Sequence, residues 1–155
     1  AVLVLVQPTP WYHPQYAIPV LGMLLGNTMN GVSLSMDRLT STVWAQRDVI
    51  EQRLMLGEDA TTATSEIVQE SVRGGLIPIV NAMAVAGLVS LPGMMTGQIL
   101  SGVSPTEAVR YQILIWFLIA AGSGLGMLIA VKLTCRRLFD YRQRLRLDRL
   151  RDENR

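Results

Sequence analysis

One apolar stretch near the C-terminal end decides the fold class. It reads AVRYQILIWFLIAAGSGLGMLIAVKLT from residue 108 to residue 134. No charged side chain lies between Arg110 and Lys132, and an α-helix needs about 20 apolar residues to cross the hydrocarbon core of a bilayer. The stretch therefore predicts a transmembrane helix, and Gly122, Gly124 and Gly126 are small enough to let a neighbouring helix approach it closely.

The composition agrees with a membrane protein. Half of the residues are apolar and 17% are charged, and almost all of the charges lie in two blocks, residues 37–73 and 132–155. A soluble domain of this length carries more charge, spread more evenly. A charge at the bilayer centre costs at least about 2.5 kcal/mol, so this segregation favours several membrane spans. The single cysteine, Cys135, excludes an intrachain disulfide and a cysteine metal cluster.

Two further stretches are apolar enough to span a bilayer, residues 17–36 and residues 75–100, and we predict the last span over residues 106–134. Residues 1–6 are interpreted as the end of an earlier span, because they are apolar and lack a basic leader. Prolines forbid a continuous helix in residues 7–16, and residues 101–105 are predicted to form a turn. We expect an all-α, polytopic integral membrane helical bundle, one transmembrane domain over residues 1–155, and the C-terminal part of a longer protein.

The basic residues predict the orientation. Residues 132–155 carry most of the excess positive charge and should be cytoplasmic. Because each span crosses the bilayer once, residues 37–73 are then cytoplasmic, and the loops at residues 7–16 and 101–105 lie outside. Residues 37–73 are net acidic, so the C-terminal block decides the orientation. Within that block Leu138, Tyr141 and Leu145 have helical spacing among arginines, which predicts an amphipathic helix on the inner leaflet of the plasma membrane.

The cytoplasmic residues 37–73 have the pattern of a helical hairpin. Val43, Ile50 and Leu54 fall on one helical stripe, and Gly57 with its acidic neighbours ends that helix. A second short helix is predicted from Ala60, and the residues on its one face are Ala63, Ile67 and Ser71. The glycines at 74 and 75 then precede the next span and could let the hairpin pivot.

A short amphipathic hairpin of this kind is what a transport permease presents to a separate ATPase. The residues that we assign to ATPase coupling are Leu56, Gly57, Glu58, Asp59, Ala63, Ile67 and Glu70. The alternative is an ordinary solvated connector between two spans, and the hairpin pattern by itself leaves both interpretations open.

The span over residues 75–100 is interrupted by Pro92-Gly93. Non-helical backbone at membrane depth is tolerated only where it is buried in protein or lines a water-filled cavity. Together with intramembrane amides this predicts a transport pathway, whose candidate residues are Asn27, Asn30, Asn81, Ser90, Met94, Met95 and Gln98. The alternatives are a packing kink, amides that join helix to helix, and methionines that fill gaps in apolar packing.

Motifs for catalysis are missing from the sequence. It has no phosphate-binding Gly-x-x-x-x-Gly-Lys loop, no His-Glu-x-x-His pair and no Gly-x-Ser-x-Gly elbow. We therefore expect no enzyme, no cofactor and no metal site on this chain. The arginines beside a transmembrane span also argue against nucleic-acid binding.

Two long runs carry a resemblance to a known family, LGMLLGNTMNG at residues 21–31 and VSLPGMMTGQIL at residues 89–100. Shorter matching runs are PQY at residues 14–16, GLIP at 75–78, NAM at 81–83 and AVRYQ at 108–112. Over about residues 10–131 the chain resembles the FetB-type iron-export ABC transporter permeases of bacteria, which are similar to plant aluminium-tolerance permeases.

The resemblance implies a homodimeric permease of the inner membrane that works with a separate ATP-hydrolysing ABC subunit. It also implies export of iron or a related metal and favours the coupling interpretation of the hairpin. Ferric iron prefers oxygen ligands, which directs attention to the amides and Ser90 rather than to the methionines. The residues themselves leave two alternatives open, a secondary transporter and an ABC permease for a non-metal small molecule.

Overall fold

The computed structural model describes residues 14–86, 91–140, 143–146 and 150. These residues form six α-helices: α1 (Pro14–Ala45), α2 (Arg47–Met55), α3 (Ala60–Ala63), α4 (Ser65–Val85), α5 (Gly93–Leu100) and α6 (Pro105–Leu138). The described residues form no strand, and an isolated bridge joins Phe139 to Leu145. The predicted all-α class is confirmed for this part of the chain.

Helix α6 contains the stretch that decided the fold class. The chain turns at Gly102, whose φ of 90° is readily adopted only by glycine. Ser104 Oγ then accepts the backbone N–H of Glu107 at 3.4 Å, which caps the start of α6, and donates to the Glu107 carboxylate at 3.4 Å. The predicted helix start is confirmed. Among the helices of the described residues, α6 alone is long and apolar enough to cross a membrane.

Helix α1 continues past the predicted end of its apolar stretch. It runs without interruption from Pro14 to Ala45, so the apolar residues and the first polar residues of the next segment share one helix. Thr40 Oγ1 donates to the carbonyl of Met36 at 3.0 Å, and Ser41 Oγ donates to that of Arg38 at 3.1 Å. These hydroxyls are satisfied along the helix itself, so they do not end it.

The chain divides into two compact units. The first consists of residues 1–29 and 77–123, and the second of residues 30–76 and 124–155. Helices α1, α4 and α6 contribute residues to both units, α5 belongs to the first, and α2 and α3 belong to the second.

The first unit buries one face of α6. Ala108, Ile115 and Ile119 are at most 3% exposed. A Cβ added at Gly122 would lie 2.7 Å from Leu24 Cδ1, so the close approach predicted for this glycine is confirmed. A further link between α1 and α6 in this unit is the contact between the hydroxyls of Thr28 and Ser123 at 3.4 Å.

The second unit has a continuous apolar core to which all of its helices contribute. Its buried members are Leu39, Val43, Ile50, Ala63, Ile67, Val131, Leu138 and Leu150. Burying one side chain of this size stabilises a fold by about 1.5–3 kcal/mol. Both predicted stripes of the hairpin point into this core, because Val43, Ile50, Ala63 and Ile67 are buried and Leu54 packs against it.

The amphipathic helix predicted around Leu138, Tyr141 and Leu145 is wrong. Helix α6 ends at Leu138, and the backbone reverses so that Asp140 N donates to Arg144 O at 3.0 Å and Arg146 N donates to Leu138 O at 2.8 Å. Gln143 has a φ of 55°, which is incompatible with a right-handed helix. Leu138 is buried and Leu145 packs against the core, so these leucines stabilise the protein interior. Tyr141 lies outside the described residues.

The break predicted at Pro92-Gly93 is confirmed. Helix α4 ends at Val85, α5 begins at Gly93, and Pro92 has extended backbone angles (φ −57°, ψ 134°). The Pro92 carbonyl accepts the backbone N–H of Thr96 at 3.0 Å and its hydroxyl at 3.2 Å. The first turn of α5 therefore occupies the Pro92 carbonyl and the Thr96 hydroxyl.

Candidate functional site

An exposed segment with both apolar and acidic side chains lies between α2 and α3. Met55 is 79% exposed and Leu56 is 85% exposed, at the point where α2 ends. Glu58 and Asp59 follow them and are also exposed. We call residues 55–59 the acidic tip. It presents two large apolar side chains beside two carboxylates.

The backbone of the acidic tip has a defined conformation. Glu58 N donates to Arg53 O at 3.2 Å and Gly57 N donates to Leu54 O at 3.1 Å, the two hydrogen bonds of a Schellman motif. Gly57 has a φ of 96°, so a residue with a side chain would be strained there. Glycine at position 57 therefore permits the turn that ends α2. This turn sets the orientation of the chain at Met55 and Leu56.

Asp59 begins the following helix and stays ionised at neutral pH. Its carboxylate accepts hydrogen bonds from the hydroxyls of Thr61 and Thr62. These two hydrogen bonds hold the pKa of Asp59 below its ordinary value, because they favour the charged form. The acidic tip therefore carries this negative charge at neutral pH.

The coupling residues predicted after the tip fall into two groups. Ala63 and Ile67 are buried in the core of the second unit, and Glu70 is exposed. Arg53 and Glu66 form an ion pair at 3.5 Å that joins α2 to α4. Ala63 and Ile67 therefore hold the hairpin against the core, whereas Leu56, Glu58, Asp59 and Glu70 are accessible to another molecule.

The two glycines of α4 mark a close contact between helices. A Cβ added at Gly75 would lie 2.0 Å from Ser35 Oγ, 2.6 Å from Met127 Sδ and 2.8 Å from the carbonyl oxygen of Gly31. A Cβ at Gly74 would lie 3.0 Å from the side chain of Arg38. Helix α4 is continuous through both residues. The structure gives the glycines a packing role, and the pivot stays a prediction.

The structure does not bring the predicted pathway residues together by hydrogen bonds within its described part. Asn27 is half-buried, and its amide donates to the carbonyl of Met23 at 2.8 Å within α1. Asn30 and Asn81 are exposed, whereas Met94, Met95 and Gln98 are half-buried. Asn30 belongs to the second unit and the other five to the first. Ser90 lies outside the described residues.

Two polar groups that the sequence did not single out lie in the first unit. Gln112 Oε1 and Trp116 Nε1 are buried and have no hydrogen-bond partner among the described residues, and their positions on α6 place them one turn apart on the same face. One group accepts and the other donates a hydrogen bond. The signal in the sequence was an amide and an indole at this spacing within an otherwise apolar run.

Metal-binding clusters are not found where the structure describes the chain. No group of three or more His, Cys, Asp or Glu side chains there could hold a metal ion.

The chain matches the model of one protein family, described as Uncharacterised protein family (UPF0014), over residues 1–139. A UPF0014 membrane protein of Synechocystis is 45% identical over 145 residues, which cover 94% of this chain and 56% of the relative. The "Probable iron export permease protein FetB" of Escherichia coli is 36% identical over 140 residues, 90% of this chain and 54% of the relative.

A plant relative matches a shorter part of the chain. The "Protein ALUMINUM SENSITIVE 3" of Arabidopsis thaliana is 38% identical over 113 residues, 73% of this chain and 41% of that protein. No solved structure matches the chain. The chain spans about half the length of the curated relatives that it matches. The resemblance drawn from the sequence is confirmed, and the chain belongs to the UPF0014 family of membrane proteins.

Proposed function

We propose that this chain is part of the permease of an ABC exporter in the inner membrane, with ATP hydrolysed by a separate subunit. Its relatives are named membrane proteins and a permease, and α6 has the length and apolarity of a membrane span. In this proposal residues 17–36, 75–100 and 106–134 cross the bilayer. Residues 37–73 and the C-terminus are cytoplasmic, and two copies of the permease form a homodimer.

The observation that carries the proposal is the exposed acidic tip. Met55 and Leu56 are adjacent, large and about four-fifths exposed, and exposed apolar patches rimmed by polar residues mark protein–protein interaction sites. Apolar anchors surrounded by polar residues are the usual centre of a protein–protein interface. Met55 and Leu56 are therefore the anchors that we assign to the ATPase, with Glu58 and Asp59 at the rim, where charges set the orientation of docking.

The contacts that hold the acidic tip against the helices would allow it to transmit force. The Schellman motif fixes the tip to α2, the Arg53–Glu66 ion pair and the buried core fix α2 to α4, and α4 continues into the second predicted span. An ordinary flexible connector would lack such packing. A displacement of the tip by the ATPase would accordingly move α4 rather than only the loop.

The cargo that we propose is iron or a related metal. The support is the name of the Escherichia coli relative, "Probable iron export permease protein", together with side-chain oxygens of the kind that hard cations prefer. Asn27, Asn81 and Gln98 supply such oxygens in the first unit.

Cellular iron tests the proposal. The protein at its full natural length is produced with its candidate ATPase in cells that lack the native pair, and metal content is measured by mass spectrometry. We expect total iron to fall by about half or more with the active ATPase and to stay unchanged with a hydrolysis-dead ATPase. If iron falls equally with both ATPases, ATP-driven export is excluded. If iron is constant while other metals fall, the cargo is wrong and the architecture stands.

Thiol labelling tests the pathway residues. In a Cys135→Ser background, Asn30→Cys and Gln98→Cys should react with a small water-soluble thiol reagent at least about tenfold faster than Ile113→Cys. Ile113 is half-exposed on the apolar face of α6, so in the membrane a cysteine at this position would face lipid. Away from water its thiol does not ionise to the reactive thiolate. Equal protection of all three variants would assign Asn30 and Gln98 to packing.

A further inference from the structure

A cavity with mixed polarity lies in the second unit beside the C-terminal end of α6. Its volume is about 690 Å³. Lys132 and Arg136 line it from α6, and the hydroxyl-bearing residues Thr61, Thr64 and Ser65 line it from α3 and the start of α4. Neither the ATPase-coupling surface nor the pathway residues use this cavity, apart from Asp59 at its edge.

The charges that line the cavity are balanced and separated. Lys132 and Arg136 are one helical turn apart on α6, and neither forms an ion pair within the described part of the chain. Asp140 and Asp59 are the acidic lining residues, and the carboxylate of Asp59 is held by the Thr61 and Thr62 hydroxyls. A ligand that carries one negative and one positive group would complement both pairs.

The other residues that line the cavity are apolar or have polar groups that already form hydrogen bonds. Val68 and Phe139 contribute apolar surface. Thr64 is 2% exposed, and its hydroxyl donates to the carbonyl of Ala60 at 2.7 Å. Gln143 Oε1 accepts the backbone N–H of Ala60 at 3.2 Å, which fixes the end of the C-terminal reversal at the edge of the cavity. Among the described residues, the lining side chains that have no polar partner are therefore Lys132, Arg136 and Asp140.

The surface of α6 next to the cavity continues as a lipid-facing stripe. Leu128, Ile129 and Leu133 are 41%, 59% and 54% exposed. Ile129 precedes Lys132 by three residues and Arg136 by seven, so the three side chains share one side of the helix. Acyl chains along this stripe would bring a phosphate to the level of the two cations.

We propose that this cavity binds the headgroup of a phospholipid that carries a phosphodiester and a primary ammonium, as in phosphatidylethanolamine. The phosphodiester pairs with Lys132 and Arg136, and the ammonium donates hydrogen bonds to Asp140. The acyl chains lie on the stripe of α6 that ends at Leu133. The proposal rests on α6 crossing the membrane and not on ATP-driven export, so the two fail independently.

Lipid retention measured by native mass spectrometry tests the proposal. The protein at its full natural length is purified in detergent and titrated with phosphatidylethanolamine, phosphatidylcholine or phosphatidylglycerol of the same acyl composition. We expect phosphatidylethanolamine to bind at least about fivefold more tightly than phosphatidylcholine, whose quaternary ammonium has no N–H to donate. This comparison needs no variant, and equal binding of all three lipids would overturn the proposal.

Two variants separate the parts of the headgroup. Lys132→Gln with Arg136→Gln should weaken binding of phosphatidylethanolamine by about tenfold or more. Arg73→Gln with Arg110→Gln, which removes the same charge away from the cavity, should not. Asp140→Asn should abolish the preference over phosphatidylcholine while both lipids still bind. Retention that is equal in the two double variants would contradict the assignment.

A soluble ligand is the remaining source of the same chemistry. Glycerophosphoethanolamine carries the identical headgroup without acyl chains. We expect it to displace the lipid only at concentrations at least about a hundredfold higher. Displacement at equal concentration would show that the cavity takes a soluble phosphodiester, and the lipid assignment would be wrong.

Discussion

Gly75→Ala should destabilise the protein by about 1–2 kcal/mol, although alanine is the better helix former. The new methyl group would lie 2.0 Å from Ser35 Oγ and 2.8 Å from the backbone oxygen of Gly31. A side chain can rotate away, but a backbone carbonyl in a neighbouring helix cannot. Overpacking of this kind costs about 1–3 kcal/mol, which exceeds the gain of up to about 1 kcal/mol in helix propensity.

Gly124→Ala is the matched control for this change. Gly124 also lies within a helix of the second unit, and a Cβ there would meet only Leu76 Cδ2 at 4.0 Å, an ordinary contact. We expect its melting temperature to be unchanged or raised, whereas Gly75→Ala lowers it by several degrees. The measurement is thermal unfolding of the detergent-purified protein. Equal melting temperatures for both variants would show that α4 does not pack this closely.

The second large effect concerns the acidic tip. Met55→Ser together with Leu56→Ser should weaken the complex with the ATPase at least about thirtyfold, because interface anchors contribute about 2 kcal/mol or more. The same variant should fold normally, since the two side chains are 79% and 85% exposed. The amount of ATPase that co-purifies and the ATP-dependent fall in cellular iron are the two measurements.

Leu100→Ser provides the control for the tip. Leu100 is 83% exposed at the end of α5 in the other unit, and we expect it to leave ATPase binding unchanged. If the tip variant binds the ATPase as well as Leu100→Ser does, the hairpin is a connector and the coupling surface lies elsewhere. Loss of binding without loss of thermal stability is the result that distinguishes docking from folding.

The sequence was sufficient where a local signal and the packing agree. Pro92-Gly93 breaks the helical run because proline cannot continue it, and Ser104 with Glu107 caps α6 regardless of what packs against that helix. The stripe through Val43 and Ile50 predicted a buried face, and the core of the second unit uses it. In each case the determinant lies within a few residues of the structure that it sets.

Long-range contacts were less accessible to sequence reasoning. The spacing of Leu138 and Leu145 fits a helix, yet burial in the core stabilises a backbone reversal with Gln143 at positive φ. Gly75 looked like a flexible point because the sequence does not show that Ser35 and Met127 meet it. The unpartnered Gln112 and Trp116 were passed over for the same reason, since burial of a polar atom is a property of the fold.

The reversal after α6 has a consequence for the lifetime of the protein in the cell. Leu138 and Leu150 complete the core together with Val131, so Leu150 is part of the folded unit although it lies beyond the end of α6. A chain cut after Leu138 would lack Leu145 and Leu150 and would expose part of the apolar core of the second unit. Cellular proteases degrade chains that expose such surface, so we expect a mutation that creates a stop codon here to reduce the abundance of the protein.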